Sequence, residues 1–266
     1  MSTPGKNKSR KRYPPVLNNG EERQPFRFPF VSRSFVPSAF TVMNMVCGYG
    51  SIVMSGEGNF ATAGWLIFIA AFFDTIDGFV ARVTNGASEF GVELDSLSDL
   101  VSFGAAPAFL VYRFGLASYG MPLGLILSSL LMVGSGLRLA RFNISLIGYH
   151  KESFSGLPTP AQAMTIASFV LWMQSEPLLS AKPLHEVLAW LTVVLAGLMV
   201  STVNYDALPK PTRETFRRMP LQMTAYAVAI VCVLVFQAKA FFVAMLLYIL
   251  LGIARSLTML VRQWQV

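Results

Sequence analysis

Residues 73–99 of this chain read FDTIDGFVARVTNGASEFGVELDSLSD, and this stretch decides the fold because it sets four aspartates between long apolar runs. At about 100° per residue, Asp74 and Asp77 fall on one stripe of an α-helix. Asp95 and Asp99 fall on the corresponding stripe of a second helix. An Asn-Gly turn signal separates the two. The pattern predicts a helical hairpin whose acidic stripes face each other near one membrane surface.

Carboxylates at membrane depth are expensive, and they persist where they pair, hydrate or bind a cation. Arg82 is the one basic residue between the first and the last of the four aspartates, and one arginine does not neutralise four carboxylates. Oxygen-rich carboxylate clusters suit hard divalent cations. The stretch therefore predicts a divalent-metal site.

The composition excludes an ordinary soluble domain. Of the 266 residues, 54% are hydrophobic and 13% are charged, and the mean hydropathy is +0.54. We therefore predict an all-α fold, a polytopic membrane helix bundle with about eight transmembrane helices. The predicted spans lie near residues 36–55, 60–82, 92–115, 121–141, 159–175, 186–204, 221–238 and 240–261.

The chain divides into a tail and a membrane domain. Residues 1–35 predict a basic, disordered tail that ends in a juxtamembrane, interfacial segment. Residues 36–266 predict one integral membrane catalytic domain. With the N-terminus in the cytoplasm, 18 of the 21 Lys and Arg residues fall on the cytoplasmic side. The net charge of +7 therefore follows topology and does not indicate nucleic acid, and both termini and the aspartates are predicted to be cytoplasmic.

Polar residues on the first predicted span form a stripe with small residues. Thr41, Asn44 and Gly48 recur at three- and four-residue spacing, which places them on one face of a helix. This face is able to meet the acidic helices. Ordinary interhelical hydrogen bonds are the alternative explanation.

Two arginines and a proline-rich loop are predicted at the level of the aspartates. Arg138 and Arg141 end the fourth span and either bind an anion together or extend to lipid headgroups. The loop before the fifth span carries Ser155 and Thr159. Pro158 and Pro160 give this loop a fixed shape and prevent a regular helix before Thr159.

The spacing D-x2-D-G-x2-A-R-x8-G-x3-D-x3-D, from Asp74 to Asp99, resembles the signature of the CDP-alcohol phosphotransferases at every fixed position. Two further stretches, RLARFN at residues 138–143 and SGLPTP at residues 155–160, resemble those of its phosphatidylserine synthase branch, the CDP-diacylglycerol-serine O-phosphatidyltransferases. Eight spans, two more than the six-helix core common in the family, also fit this branch. The resemblance covers roughly residues 35–205.

The resemblance implies a set of site residues. Asp74, Asp77 and Asp95 hold two Mg²⁺ or Mn²⁺ ions, and Asp99 completes the site or acts as the base, so that Asp95 and Asp99 are the catalytic pair. The residues implied to line the CDP moiety are Gly78, Ala81, Arg82, Gly91, Thr41 and Asn44. Those assigned to the acceptor are Arg138, Arg141, Ser155 and Thr159. The resemblance also implies a homodimer.

The predicted function is the transfer of the phosphatidyl group from CDP-diacylglycerol to serine in the lipid bilayer, in a bacterial cytoplasmic membrane. The nearest alternative is the same chemistry with glycerol 3-phosphate or an inositol phosphate as the acceptor. A cation transporter or channel is a different class, but its aspartates are expected to be spaced across the bilayer. A structural membrane protein with paired carboxylates is the third alternative, and it too needs a cation to balance four aspartates.

Overall fold

The computed structural model describes residues 35–84, 88–147, 156–203, 205, 238–256 and 258, and all the regular structure within these ranges is helical. The predicted all-α class is therefore confirmed for this part of the chain. Of the predicted basic tail only Phe35 falls within the described residues, and of the predicted span 221–238 only Ala238 does.

The chain forms a bundle of helices, several of which are of membrane-spanning length. The α-helices are α1 Phe35–Gly56, α2 Phe60–Thr84, α3 Glu89–Asp99, α4 Ala106–Phe114, α5 Met121–Ile147, α6 Thr159–Ser175, α7 Ala181–Val200 and α8 Ala238–Ser256. A π-helical turn, Leu100–Ala105, joins α3 to α4, and a 3-10 turn, Leu116–Tyr119, follows α4.

Five stretches of the described residues are long and apolar enough to cross a membrane, which identifies a multi-pass membrane protein. They are Ser38–Gly56, Glu89–Phe114, Met121–Ile144, Ala181–Val200 and Ala238–Ser256. The predicted count of eight spans is not confirmed by these residues.

A tight hairpin joins α1 to α2, the two helices that share the most extensive contact. Gly58 has φ +80° in the turn, a conformation that favours glycine. At the end of α1, Arg113 donates a hydrogen bond of 3.0 Å from Nη2 to the Gly56 carbonyl. This bond satisfies a carbonyl that the helix end leaves free, so Arg113 stabilises the end of α1.

The third span is one helix interrupted by a π-helical turn, and Pro107 explains the interruption. Proline has no amide hydrogen and its ring clashes with the carbonyl four residues earlier, which belongs to Phe103. The backbone widens at this point, and Ser135 of α5 approaches the freed Phe103 carbonyl with its Oγ at 3.3 Å. Gly104 lets α5 come close, because a Cβ there would lie 3.2 Å from that of Ser135.

Helix α6 runs through the core, and twelve of its 17 residues are buried. It approaches α2 closely at Gly64, where a Cβ would lie 3.0 Å from Leu171 Cγ. Helices α5 and α7 meet in the same way at Gly134, whose Cβ would lie 3.0 Å from Met199 Cε. Small residues thus bring backbones together, as is common between membrane helices.

Candidate active site

The aspartates of residues 73–99 converge between the C-terminal halves of α2 and α3. One carboxylate oxygen from each of Asp74, Asp95 and Asp99 lies within 4.8 Å of the others. Helix α3 starts close by because Ser88 caps it, accepting a 3.1 Å hydrogen bond from the Gly91 amide. The acidic stripes of the two helices therefore meet, as their spacing predicts.

Asp77 lies beside this group of three and is only 5% exposed. The Thr41 hydroxyl on α1 donates a hydrogen bond to its carboxylate, and the charges of Asp77 and Asp95 interact. The carboxyl groups of Asp74 and Asp99 are hydrogen bonded to each other. All four aspartates thus belong to a single electrostatic cluster.

The cluster fits a divalent cation. Three buried carboxylate oxygens, Asp77 Oδ2, Asp95 Oδ1 and Asp99 Oδ1, have no hydrogen-bond partner among the described residues. In the same part of the chain, none of the four aspartates forms a salt bridge within 4.0 Å. Buried anionic oxygens without a partner are strongly disfavoured unless a positive charge compensates them. A hard cation that takes oxygen ligands meets this requirement.

Helix α1 closes one side of the cluster. Two serines of the third span hydrogen bond to α1. Ser98 Oγ donates to the Thr41 carbonyl and Ser102 Oγ donates to the Asn44 carbonyl, each at 2.9 Å. The Asn44 side chain is fully buried, and neither of its amide atoms has a partner. The polar stripe predicted on the first span therefore faces the acidic helices, and Asn44 offers a free donor and a free acceptor there.

The small residues beside the carboxylates leave room for a ligand. A Cβ on Gly78 would meet nothing within 4 Å, so open space adjoins Asp77. Gly91 lies at the capped start of α3. Ala81 is half-buried and Arg82 is exposed in the last turn of α2. These residues lie along the same end of the hairpin.

The two arginines of α5 have different surroundings. Arg138 is half-buried, interacts electrostatically with Asp99, and has an Nε with no hydrogen-bond partner. Arg141 binds the end of α7, where Nη1 donates to the Val200 carbonyl at 3.1 Å and Nη2 to the Ser201 carbonyl at 3.4 Å. Arg138 therefore faces the aspartates, while Arg141 holds α7 against α5.

The loop before α6 is anchored on the chain around the end of α7. The Gly156 amide donates to the Val203 carbonyl at 2.8 Å, and the Leu157 amide donates to the Leu198 carbonyl at 3.0 Å. Thr159 starts α6, is fully buried, and has no partner for Oγ1. Ser155, which was predicted together with Thr159 to contact the acceptor, lies outside the described residues.

Two buried polar residues were not predicted as site residues. Gln162 is fully buried with neither amide atom hydrogen bonded, and Tyr205 has no partner for its hydroxyl. The sequence feature that could have identified Gln162 is its position three residues after Thr159, which places both polar side chains on the same side of an otherwise apolar span. Tyr205 follows the sixth predicted span and carries no comparable signal.

Comparison with known proteins places these observations in a family. Residues 34–198 match the family model described as CDP-alcohol phosphatidyltransferase. A CDP-diacylglycerol–serine O-phosphatidyltransferase from Helicobacter pylori is 32% identical over 229 residues, which cover 85% of this chain and 92% of that protein. One from Bacillus subtilis is 33% identical over 182 residues, 68% of this chain and 95% of the relative. An archaetidylserine synthase from Methanothermobacter thermautotrophicus is 36% identical over 173 residues, 64% of this chain and 69% of the relative.

Proposed function

The chain belongs to the CDP-alcohol phosphatidyltransferase family, and we propose that it transfers the phosphatidyl group of CDP-diacylglycerol to the hydroxyl of L-serine, giving phosphatidylserine and CMP. The observation that carries the proposal is the convergence of Asp74, Asp95 and Asp99, with oxygen atoms within 4.8 Å of one another. Serine is favoured as the acceptor because the bacterial relatives are named for serine as a substrate and an archaeal relative is named for a product that contains serine.

The aspartates are the ligands of the metal in this proposal. Asp74, Asp77 and Asp95 hold two divalent cations, Mg²⁺ or Mn²⁺, which the unpartnered oxygens of Asp77 and Asp95 fit. When bound, the cations neutralise the pyrophosphate of the donor and the negative charge on the departing CMP.

Asp99 also serves as the base. The serine oxygen forms a bond to the phosphorus that carries diacylglycerol, while the bond from this phosphorus to the CMP oxygen breaks. The serine hydroxyl proton passes to Asp99, whose Oδ1 is free of other hydrogen bonds, and CMP leaves with the electron pair of the broken bond.

The donor lies along the α2–α3 hairpin. The open space at Gly78 admits the CDP moiety beside the carboxylates, with Ala81, Arg82 and Gly91 along the same surface. From α1, Thr41 fixes Asp77, and Asn44 offers its free amide to polar atoms of the donor. Diacylglycerol stays in the bilayer, where its chains need no protein pocket.

The acceptor approaches from the α5 side. Arg138 binds the serine carboxylate, since a guanidinium is suited to bidentate contact with a carboxylate and this one already interacts with Asp99. Thr159 adds a buried hydroxyl, and Ser155 stays a predicted contact. Arg141 keeps α7 and its attached loop in place behind Arg138.

Topology and assembly complete the proposal. Eight spans with both termini and the active site on the cytoplasmic side are supported by the distribution of 18 of the 21 basic residues. This arrangement lets the water-soluble acceptor arrive from the cytoplasm while the lipid donor arrives from the membrane. The homodimer implied by the family resemblance stays a prediction.

The test is CMP release by the purified protein with CDP-diacylglycerol, Mn²⁺ and, in separate reactions, serine, glycerol 3-phosphate or inositol phosphate. We expect CMP release with serine, together with phosphatidylserine in the lipid phase. Release with one of the phosphorylated acceptors in place of serine would move the protein to another branch of the family. Failure with every acceptor would reject the proposed activity.

A further inference from the structure

Gln162 and Tyr205 are buried polar residues that lie outside the aspartate cluster. Gln162 is 0% exposed and Tyr205 is 8% exposed. Within the part of the chain that the structure describes, both amide atoms of Gln162 and the hydroxyl of Tyr205 have no hydrogen-bond partner. Buried polar groups are nearly always paired in folded proteins, so two such side chains require a physical explanation.

Helix α8 runs antiparallel to α6 and covers its face. Lys239, at the start of α8, lies 3.1 Å from Glu176, which directly follows α6. Further along, the ring centroids of Phe242 and Phe169 are 5.3 Å apart. The two helices are therefore in contact from the end of α6 back to Phe169.

The helix register predicts that Gln162 lies near Tyr248 of α8. Two helical turns back from Phe169 on α6 is Gln162, and two turns on from Phe242 on α8 is Ile249. Residues seven apart lie on the same face of a helix. We therefore infer that Gln162 is level with Ile249 and its neighbour Tyr248.

Tyr248 links this region to Tyr205 and Arg138. The rings of Tyr205 and Tyr248 have centroids 5.6 Å apart. Gly252 lets Tyr205 lie against the α8 backbone, because a Cβ there would overlap the Tyr205 ring. Tyr248 interacts electrostatically with Arg138, which also interacts with Asp99. Polar groups from α5, α6, α8 and the segment after α7 thus adjoin the acceptor side of the aspartate cluster.

We propose that Gln162, Tyr205 and Tyr248 bind the amino-acid end of the acceptor together with Arg138, and so determine which acceptor the enzyme uses. The assignment rests on the proposed transferase function. Arg138 takes the carboxylate, the tyrosine hydroxyls donate to it, and the Gln162 carbonyl accepts from the ammonium group. A phosphorylated alcohol offers no ammonium group to the Gln162 carbonyl.

Two further observations support this assignment. Burial raises the pKa of Tyr205 to about 12, so its hydroxyl remains a hydrogen-bond donor at neutral pH. Tyr205 and the whole of α8 lie beyond residues 34–198, the part that matches the family model. The acceptor contacts therefore come partly from a segment outside the family match, which suits a role in selecting among acceptors and not in the shared chemistry.

The experiment measures KM for serine and for CDP-diacylglycerol in the full-length protein and two variants, Tyr205→Phe and Gln162→Leu. Tyr205→Phe removes only a hydroxyl, so it tests the proposal even if Gln162→Leu fails to fold. Tyr119→Phe, at an exposed tyrosine after α4, is the matched control. We expect each test variant to raise the serine KM about 10-fold, with the CDP-diacylglycerol KM and the Tm close to those of the wild type.

The outcomes separate this inference from the proposed function. An unchanged serine KM in folded Tyr205→Phe, or an equal rise in both KM values, overturns the inference while leaving serine transfer intact. If the wild type uses a different acceptor, serine transfer is rejected, and the same comparison of KM values with that acceptor decides whether Gln162 and Tyr205 bind the acceptor. If the wild type uses no acceptor, both proposals fall.

Discussion

Replacing Arg141 with alanine tests whether this residue holds the structure or binds the acceptor. The change removes two hydrogen bonds, of 3.1 and 3.4 Å, to the last carbonyls of α7. A hydrogen bond from a charged group contributes about 1.5–3 kcal/mol, and the longer bond contributes less. Because the guanidinium is partly exposed, hydration compensates for part of the lost hydrogen-bond energy. The free energy of unfolding is therefore expected to fall by about 2 kcal/mol. At about 2–4 °C per kcal/mol, the Tm falls by about 4–8 °C.

The assay pairs Arg141→Ala with Arg138→Ala and reads both Tm and the serine KM. Among the described residues, Arg138 forms no hydrogen bond to a helix end and its Nε has no partner, so its removal is expected to leave Tm nearly unchanged. Its loss raises the serine KM at least 10-fold, since a charge-assisted contact to the carboxylate disappears. The reasoning fails if Arg141→Ala leaves Tm unchanged, or if Arg138→Ala lowers Tm without affecting the serine KM.

Three further substitutions test the site and its support. Gly78→Ala adds a methyl group where nothing lies within 4 Å, and the gain in helix propensity stabilises the protein by up to about 1 kcal/mol. Tm should therefore stay the same or rise, while the KM for CDP-diacylglycerol rises. An unchanged KM would remove Gly78 from the donor site. Gly48→Leu overlaps Ser102 and separates α1 from the third span, so activity should be lost even where the protein still inserts; full activity would show that α1 need not dock there. Ser135→Ala removes the hydroxyl that donates to the Phe103 carbonyl and should cost about 1 kcal/mol, seen as a lower Tm with normal KM values.

The aspartate hairpin was predictable because its signal is periodic. Asp74 and Asp77 repeat at three-residue spacing and Asp95 and Asp99 at four, so helix geometry alone places each pair on one stripe. A short turn then forces the two stripes together. Their convergence within 4.8 Å follows from local rules, and no knowledge of distant packing is needed.

The interruption of the third span was not predicted, although its cause is visible in the sequence. Pro107 is expected to break a helix or kink it, but the sequence does not indicate that the break takes the form of a π-helical turn or that Ser135 of α5 donates to the Phe103 carbonyl there. The pairing of these residues depends on tertiary packing. Sequence spacing between α3 and α5 carries no such information.

The acceptor side was predicted only in part for the same reason. Three-residue spacing places Arg138 and Arg141 on one side of α5, yet Arg141 donates two hydrogen bonds at the end of α7, whereas Arg138 interacts with Asp99. Gln162 and Tyr205 are isolated polar residues with no repeating pattern. Their common location arises from the packing of α8 on α6, which only the structure reveals.

The most direct test of the central claim, that the aspartates carry out phosphatidyl transfer, is CMP release by Asp95→Asn. The substitution keeps the size of the side chain and removes one carboxylate from the group that converges within 4.8 Å. We expect the purified variant to keep its fold, to lose Mn²⁺ affinity, and to release CMP at least about 100-fold more slowly than the wild type with saturating serine and CDP-diacylglycerol. Release at the wild-type rate by a folded Asp95→Asn protein would contradict the account.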